Sequence, residues 1–172
     1  MIVLISEAYL LLQEFCVKAL NDSSVKVVLA HQFSSRPPKP CVVIEIDNCK
    51  DVSVFSHFVD ESGLKTFSQL KTIDVTFTAY ADKVVFSTDL LCKIYNMFPT
   101  ELTFEVFGRN LALLKKLIDV TSMPVDVSDK IEDRAMMELR FNITQIAQYN
   151  TGLIEHVEMH DKINDEVYTI DK

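Results

Sequence analysis

Glycine occurs only three times in this 172-residue chain, as Gly63, Gly108 and Gly152. Phosphate-cradling loops need closely spaced glycines, so GxGxxG and Walker-type nucleotide binding are excluded. The four cysteines, Cys16, Cys41, Cys49 and Cys92, form no CxxC pair, and neither a zinc knuckle nor a thioredoxin-type redox site is suggested. They read as buried, reduced thiols of a protein made in the cytosol. Positive charge is in deficit: 17 Lys and Arg against 25 Asp and Glu give a formal charge of −8. Tight binding to a phosphate backbone needs clustered Lys and Arg, so nucleic acid would be repelled rather than held; the same modest charge keeps a concentrated protein soluble. Long hydrophobic runs are missing too. Glu7, Gln13 and Glu14 interrupt the apolar beginning and no basic residue precedes them, while a spanning helix needs ~20 apolar residues. Neither a signal peptide nor a membrane anchor is expected. With no GxSxG elbow and no cysteine in a nucleophile signature, covalent catalysis has no anchor.

What is present is patterned for folding. At 48% hydrophobic, the chain suits one domain that buries roughly 70% of its unfolded surface. Ala8, Leu11, Leu12, Phe15, Cys16, Ala19 and Leu20 recur at the three-and-four spacing of an amphipathic helix, starting near Ser6 and stopping at Asn21-Asp22-Ser23-Ser24. Val25 to Ala30 suits a short strand, and the proline segment Arg36-Pro37-Pro38-Lys39-Pro40 leads into a strand over Cys41 to Ile46. Residues 48–63 carry no period and read as a long connection containing at most a helical turn. Thr72 to Tyr80 alternates strictly, with Ile73, Val75, Phe77 and Ala79 on the buried side. Asp82 is positioned to cap a helix whose Phe86, Leu90, Leu91, Ile94, Met97 and Phe98 share a face before Pro99. Thr100 to Gly108 suits a shorter helix ended by the glycine. Leu111 to Val120 mixes helical and extended signals, the extended one prevailing toward the end.

The longest signal lies at Glu132 to Thr144. Ala135, Met137, Leu139, Phe141 and Ile143 point one way, and Glu138, Arg140, Asn142 and Thr144 the other. Such a strand buries one face in an antiparallel sheet and offers the other to water or to a neighbouring subunit. A turn at Asn150-Thr151-Gly152 predicts a hairpin with Leu153 to Lys162. The expected architecture is therefore α+β: a mixed, mainly antiparallel sheet with helices packed on one side. A single domain covers residues 1–162, and 163–172 form a polar, loosely held tail. Burial of Ile73, Val75, Phe77, Leu139, Phe141 and Ile143 should stabilise the sheet by ~1.5–3 kcal/mol each.

Two histidine groups resemble sites only loosely. His156, Glu158 and His160 share one strand face, and imidazole with carboxylate is a reasonable ligand set for a divalent metal; an exposed strand face carries such residues more often without one. His57 beside Asp60 and Glu61 has the makings of an acid-base pair, and a solvated loop explains these residues equally well. A small metal-dependent or acid-base enzyme using His57, His156 and His160 is the alternative these residues leave open. The PxxP spacing of the proline segment fits an aromatic groove, but its commoner use is to stiffen a projecting loop.

Taken in order, these elements resemble the phage neck and tail terminator family. The likeness rests on the opening helix, Arg36-Pro37-Pro38-Lys39-Pro40 before Val42-Val43-Ile44, the Thr72 to Tyr80 strand with its Asp82-initiated helix, Glu132-Asp133-Arg134-Ala135 before the long strand, and Gly152-Leu153-Ile154-Glu155-His156-Val157-Glu158. It spans roughly residues 1 to 160. The chain departs from the family pattern in lacking glycines around the proline segment and in carrying Leu153 where an aromatic residue is common. The resemblance implies a non-enzymatic virion protein, without cofactor, metal or membrane contact. It would form a ring, a homohexamer by family likeness, at the head-tail junction. There it would sit on the tail tube protein, end tail polymerisation and face the head connector or adaptor proteins. DNA would pass through the ring without specific binding. Arg36, Lys39, Glu138, Arg140 and Glu158 are the candidate interface or channel-facing residues.

Overall fold

The computed structural model describes residues 5–30, 37–52, 56–60, 64–81, 85–127, 130–150, 156–161 and 166–171. Helix α1 spans Ile5–Leu20 and buries Ala8, Leu12, Phe15, Cys16, Ala19 and Leu20, as its spacing requires. It stops where Asn21 takes a left-handed φ of 47° and donates its amide to the Val17 carbonyl at 3.0 Å; Asn tolerates that backbone better than most residues. Asp22 then accepts from the Ser24 amide and hydroxyl, a local turn that sends the chain into β1, Lys26–Leu29.

Strand β1 pairs in parallel with β2, Cys41–Asp51, and every other pairing of the sheet is antiparallel. The sheet is completed by β3, Ser56–Val59, β4, Leu64–Tyr80, β5, Leu111–Ser122, and β8, Arg134–Asn150, in the order β1-β2-β4-β8-β5 with β3 also against β4. At its centre β4 and β8 pair over seventeen residues each, from Leu64 opposite Asn150 to Tyr80 opposite Arg134. Two small hairpins stand apart: β6, Val125–Val127, with β7, Lys130–Glu132, and β9, His156–Asp161, with β10, Glu166–Asp171. Helices α2, Ser87–Met97, and α3, Glu101–Phe107, join α1 on one face.

That face holds the core. Ile73, Val75, Phe77 and Ala79 of β4 and Ala135, Met137, Leu139, Phe141 and Ile143 of β8 are buried together with the apolar stripes of the three helices. Phe15 stacks on Phe98 with ring centroids 4.5 Å apart, and Phe107 meets Phe141 edge-on at 6.2 Å. The rings tie the helices to β8, where aromatic pairs add to simple area burial. The architecture is thus α+β, mixed and mainly antiparallel, with helices on one side, as the patterning implied.

Several local expectations are corrected. Residues 48–63 are not a structureless connection: β2 continues to Asp51, and β3 runs beside β4, with Ser56 opposite Ser68 and Val59 opposite Lys65. Strand β5 is extended from Leu111 onward, not only at its end. Phe86 lies outside α2 and is 69% exposed rather than buried. The helix begins at Ser87 after Phe86, and Asp82, expected as its cap, lies outside the described residues. Thr100 precedes α3 as expected, but its hydroxyl donates to the Met97 carbonyl at 2.6 Å instead of capping the helix. Gly108 ends α3 with φ +54°, the backbone for which glycine suits that position. Strand β9 pairs with β10, which lies within residues 163–172, and among the described residues it has no pairing with β8. Cys16 and Cys41 are buried, whereas Cys49 and Cys92 are exposed.

Candidate assembly surfaces

The face of the sheet opposite the helices is polar because alternation leaves Thr72, Asp74 and Thr76 of β4 beside Glu138, Arg140 and Asn142 of β8. Asp74 and Arg140 are direct cross-strand partners. Nε of Arg140 donates to Oδ1 at 2.5 Å and Nη2 to Oδ2 at 2.8 Å, the two-pronged geometry that makes guanidinium-carboxylate pairs strong. These bonds hold the Asp74 carboxyl below the usual carboxylate range, although its burial pushes the other way. A bulge between Ile46 and Asn48 shifts β2 by one residue, which sets Asn48 opposite Asp74 and brings its Nδ2 to 3.5 Å from Oδ2. The displaced Asp47 accepts from the Thr76 hydroxyl at 2.5 Å.

Glu138 is half-buried on this face, opposite Thr76 on one side and Ile118 on the other. Its charge reinforces the cationic form of Arg140, whose main support is the bonding to Asp74. Arg140 is therefore held within the subunit, while Glu138 faces outward beside it. Lys39 is also engaged at home: its ammonium forms an ion pair with the carboxylate of Glu132, a residue only 7% exposed. Arg36 lies outside the described residues. Glu158 falls in β9, opposite Thr169.

The residue after Glu132 has a role that local spacing could not reveal. Asp133 accepts the Ser87 amide at 2.9 Å and the Ser87 hydroxyl at 2.7 Å, so it caps α2 from a distant part of the chain. The Ala81 amide donates to the Asp133 carbonyl at 3.1 Å. Start of helix, end of β4 and start of β8 are fixed at one point. A sequence signal did exist for the other missed residue, Asp74: it is the lone charge in the alternating run Thr72 to Tyr80, and the outward residues of the other long strand include the cation Arg140.

Apolar surface collects elsewhere. A cavity of ≈ 570 Å³ opens between the end of α2, α3 and the start of β5, lined by Tyr95, Phe98, Pro99, Phe104, Leu111 and Leu113. Phe104 at its rim is 79% exposed, and Leu10 and Val17 stand out from α1. Strand β5 forms one margin of the sheet, bonded to β8 alone among the described residues. It is irregular, with three register shifts against β8, and Leu114, Lys115, Lys116 and Ile118 are exposed along it.

His57 is exposed on β3, its ring 6.1 Å from that of Phe67, and Asp60 spends one carboxylate oxygen on the Leu64 amide at 2.9 Å, closing the turn into β4. His156 and His160 lie on β9, opposite Asp171 and Val167. Among the described residues no three His, Cys, Asp or Glu side chains converge as metal ligands, and no helix is long and apolar enough to cross a membrane.

Comparison with known families gives one match that covers nearly the whole chain. The sequence model of a family described as phage neck terminator protein matches residues 7–167. Among curated proteins there is no match.

Proposed function

The chain belongs to the phage neck terminator family, and from that premise we propose that it works by closing into a ring at the head-tail junction of the virion. The ring, a hexamer by family likeness, caps the last ring of tail tube protein, ends its polymerisation and presents a docking surface to the head connector or adaptor proteins. The observation that carries this reading is the family match over residues 7–167, on a fold that keeps its core on one sheet face and leaves a polar face and a sheet margin for neighbours. Subunits joined head to tail by two different surfaces form a closed ring when the rotation between them closes.

Charge suits the passage of DNA. The net charge is −8, and Arg140 is neutralised by Asp74 while Glu138 lies beside it on the polar face. Glu138 and Glu158 contribute to a bore or subunit surface, where acidic groups repel phosphate and let the genome slide. No step in this function requires bond chemistry.

The test is genetic and visual. Infection without this chain should give heads separated from tails whose length is no longer controlled, and side-chain-resolution imaging of complete particles should place the chain at the neck. Normal tails joined to heads in its absence would overturn the proposal.

A further inference from the structure

Among the described residues, two parts of this chain have hydrogen-bonding edges without a partner strand. Strand β5 is twelve residues long and pairs on one side only among the described residues. The β9–β10 hairpin is a two-stranded sheet by itself, and such a ribbon is marginal in water unless a third strand or a packing face supports it. Its last strand, Glu166-Val167-Tyr168-Thr169-Ile170-Asp171, sets four strong strand formers between two carboxylates.

The charges of the two edges are complementary. Arg109, Lys115 and Lys116 are exposed in and just before β5, although Lys116 is already engaged by Asp119. Residues 156–171 carry Glu158, Asp161, Asp165, Glu166 and Asp171 against Lys162 alone. Two β5 edges meeting each other would oppose lysine to lysine, and the register shifts of β5 further discourage indiscriminate pairing. An acidic strand is favoured where a basic one is refused.

We infer that β10 of one copy adds to the β5 edge of the next copy, extending the six-stranded sheet across the subunit boundary. The two edges are different surfaces, so the contact is heterologous and propagates around an axis. Main-chain hydrogen bonds supply the attachment, and the lysine-carboxylate pairing selects the partner. The inference rests on the ring reading given above and names the strands that build the ring.

The test uses two single variants, Leu114→Cys and Thr169→Cys, each with Cys49 and Cys92 replaced by serine, supplied together during infection. Any disulfide between positions 114 and 169 then joins two different chains. Particles with neck density for the chain and a disulfide-linked dimer on a non-reducing gel are the expected result. Neck density without that dimer overturns the strand exchange alone, whereas particles lacking the chain at the neck overturn the ring reading and this inference with it. Charge exchange gives an independent readout: Lys115→Glu should lower the yield of joined particles, and adding Glu166→Lys should restore it. An undiminished yield with Lys115→Glu, or no recovery on adding Glu166→Lys, also overturns the inference.

Discussion

Asp74 and Arg140 face each other across the two central strands, and one guanidinium grips both oxygens of one carboxylate. Asp74 is 4% exposed, so the pair lies at the middle of the polar face with little water around the acid. It locks the register of β4 against β8, since a one-residue slip of either strand would carry its own member of the pair to the apolar face and break the pairing.

The pair makes stability depend on acid. The carboxyl of Asp74 titrates below its ordinary value in the fold because Arg140 bonds the charged form. Its contribution is therefore fully present above the ordinary carboxylate range, about pH 4, and is lost as pH falls through the depressed value. Asp74→Asn should lower the melting temperature at pH 7, and the gap to the parent protein should shrink as pH falls below about 4. Thermal melts across that range check it; a gap independent of pH would contradict the assignment.

Removing the remote cap should loosen one helix selectively. Asp133→Ala leaves the Ser87 amide and hydroxyl at the start of α2 without this acceptor and is expected to destabilise the protein by about 1–2 kcal/mol. Asp133→Asn keeps an acceptor and should lose less. Hydrogen exchange would show faster exchange near Ser87 in the alanine variant, and unchanged protection there would count against the cap.

Two phenylalanines should behave in opposite ways. Phe77 is wholly buried and Phe86 is 69% exposed. Phe77→Ala should destabilise by about 3–5 kcal/mol, whereas Phe86→Ser should change stability by no more than about 0.5 kcal/mol. Denaturant midpoints of the two variants decide the matter, and a large loss for Phe86→Ser would mean that its ring is covered.

Thiol reactivity should divide the cysteines in half. Burial pushes the Cys16 thiol far above its usual range, and Cys41 is buried as well. Cys49 and Cys92 are exposed and should react with a maleimide in the native protein, while the other two react only after unfolding. Peptide mapping after native labelling provides the check, and early modification of Cys16 would contradict the packing of α1.

The elements legible in sequence are those whose burial repeats with their own period. Helix α1 and the central strands alternate cleanly because each buries one face against the same core. Strand β3 gave no signal since all four of its residues are exposed, so there is no alternation to detect. Strand β5 mixes periods because three register shifts break the two-residue repeat, and Leu111, Leu114 and Ile118 then mimic helical spacing. The cap on α2 was invisible for another reason: Asp133 reaches Ser87 only after the chain has passed through α2, α3 and strands β5, β6 and β7. Among the candidate surface residues, Glu138 and Arg140 lie on the sheet face opposite the core, and pattern alone could not show that Arg140 is already committed to Asp74.

The pairing of β4 with β8 also orders events at the ribosome. Tyr80 must wait for Arg134, and Leu64 for Asn150, so the central strand leaves the exit tunnel long before its main partner is translated. Distant pairings of this kind close slowly, and meanwhile an apolar face and a bare strand invite contact with other nascent chains. The hairpin with β2, already synthesised, covers one side of β4 early. The other side stays open until translation has passed Asn150, and that interval is when newly made copies are most prone to clump.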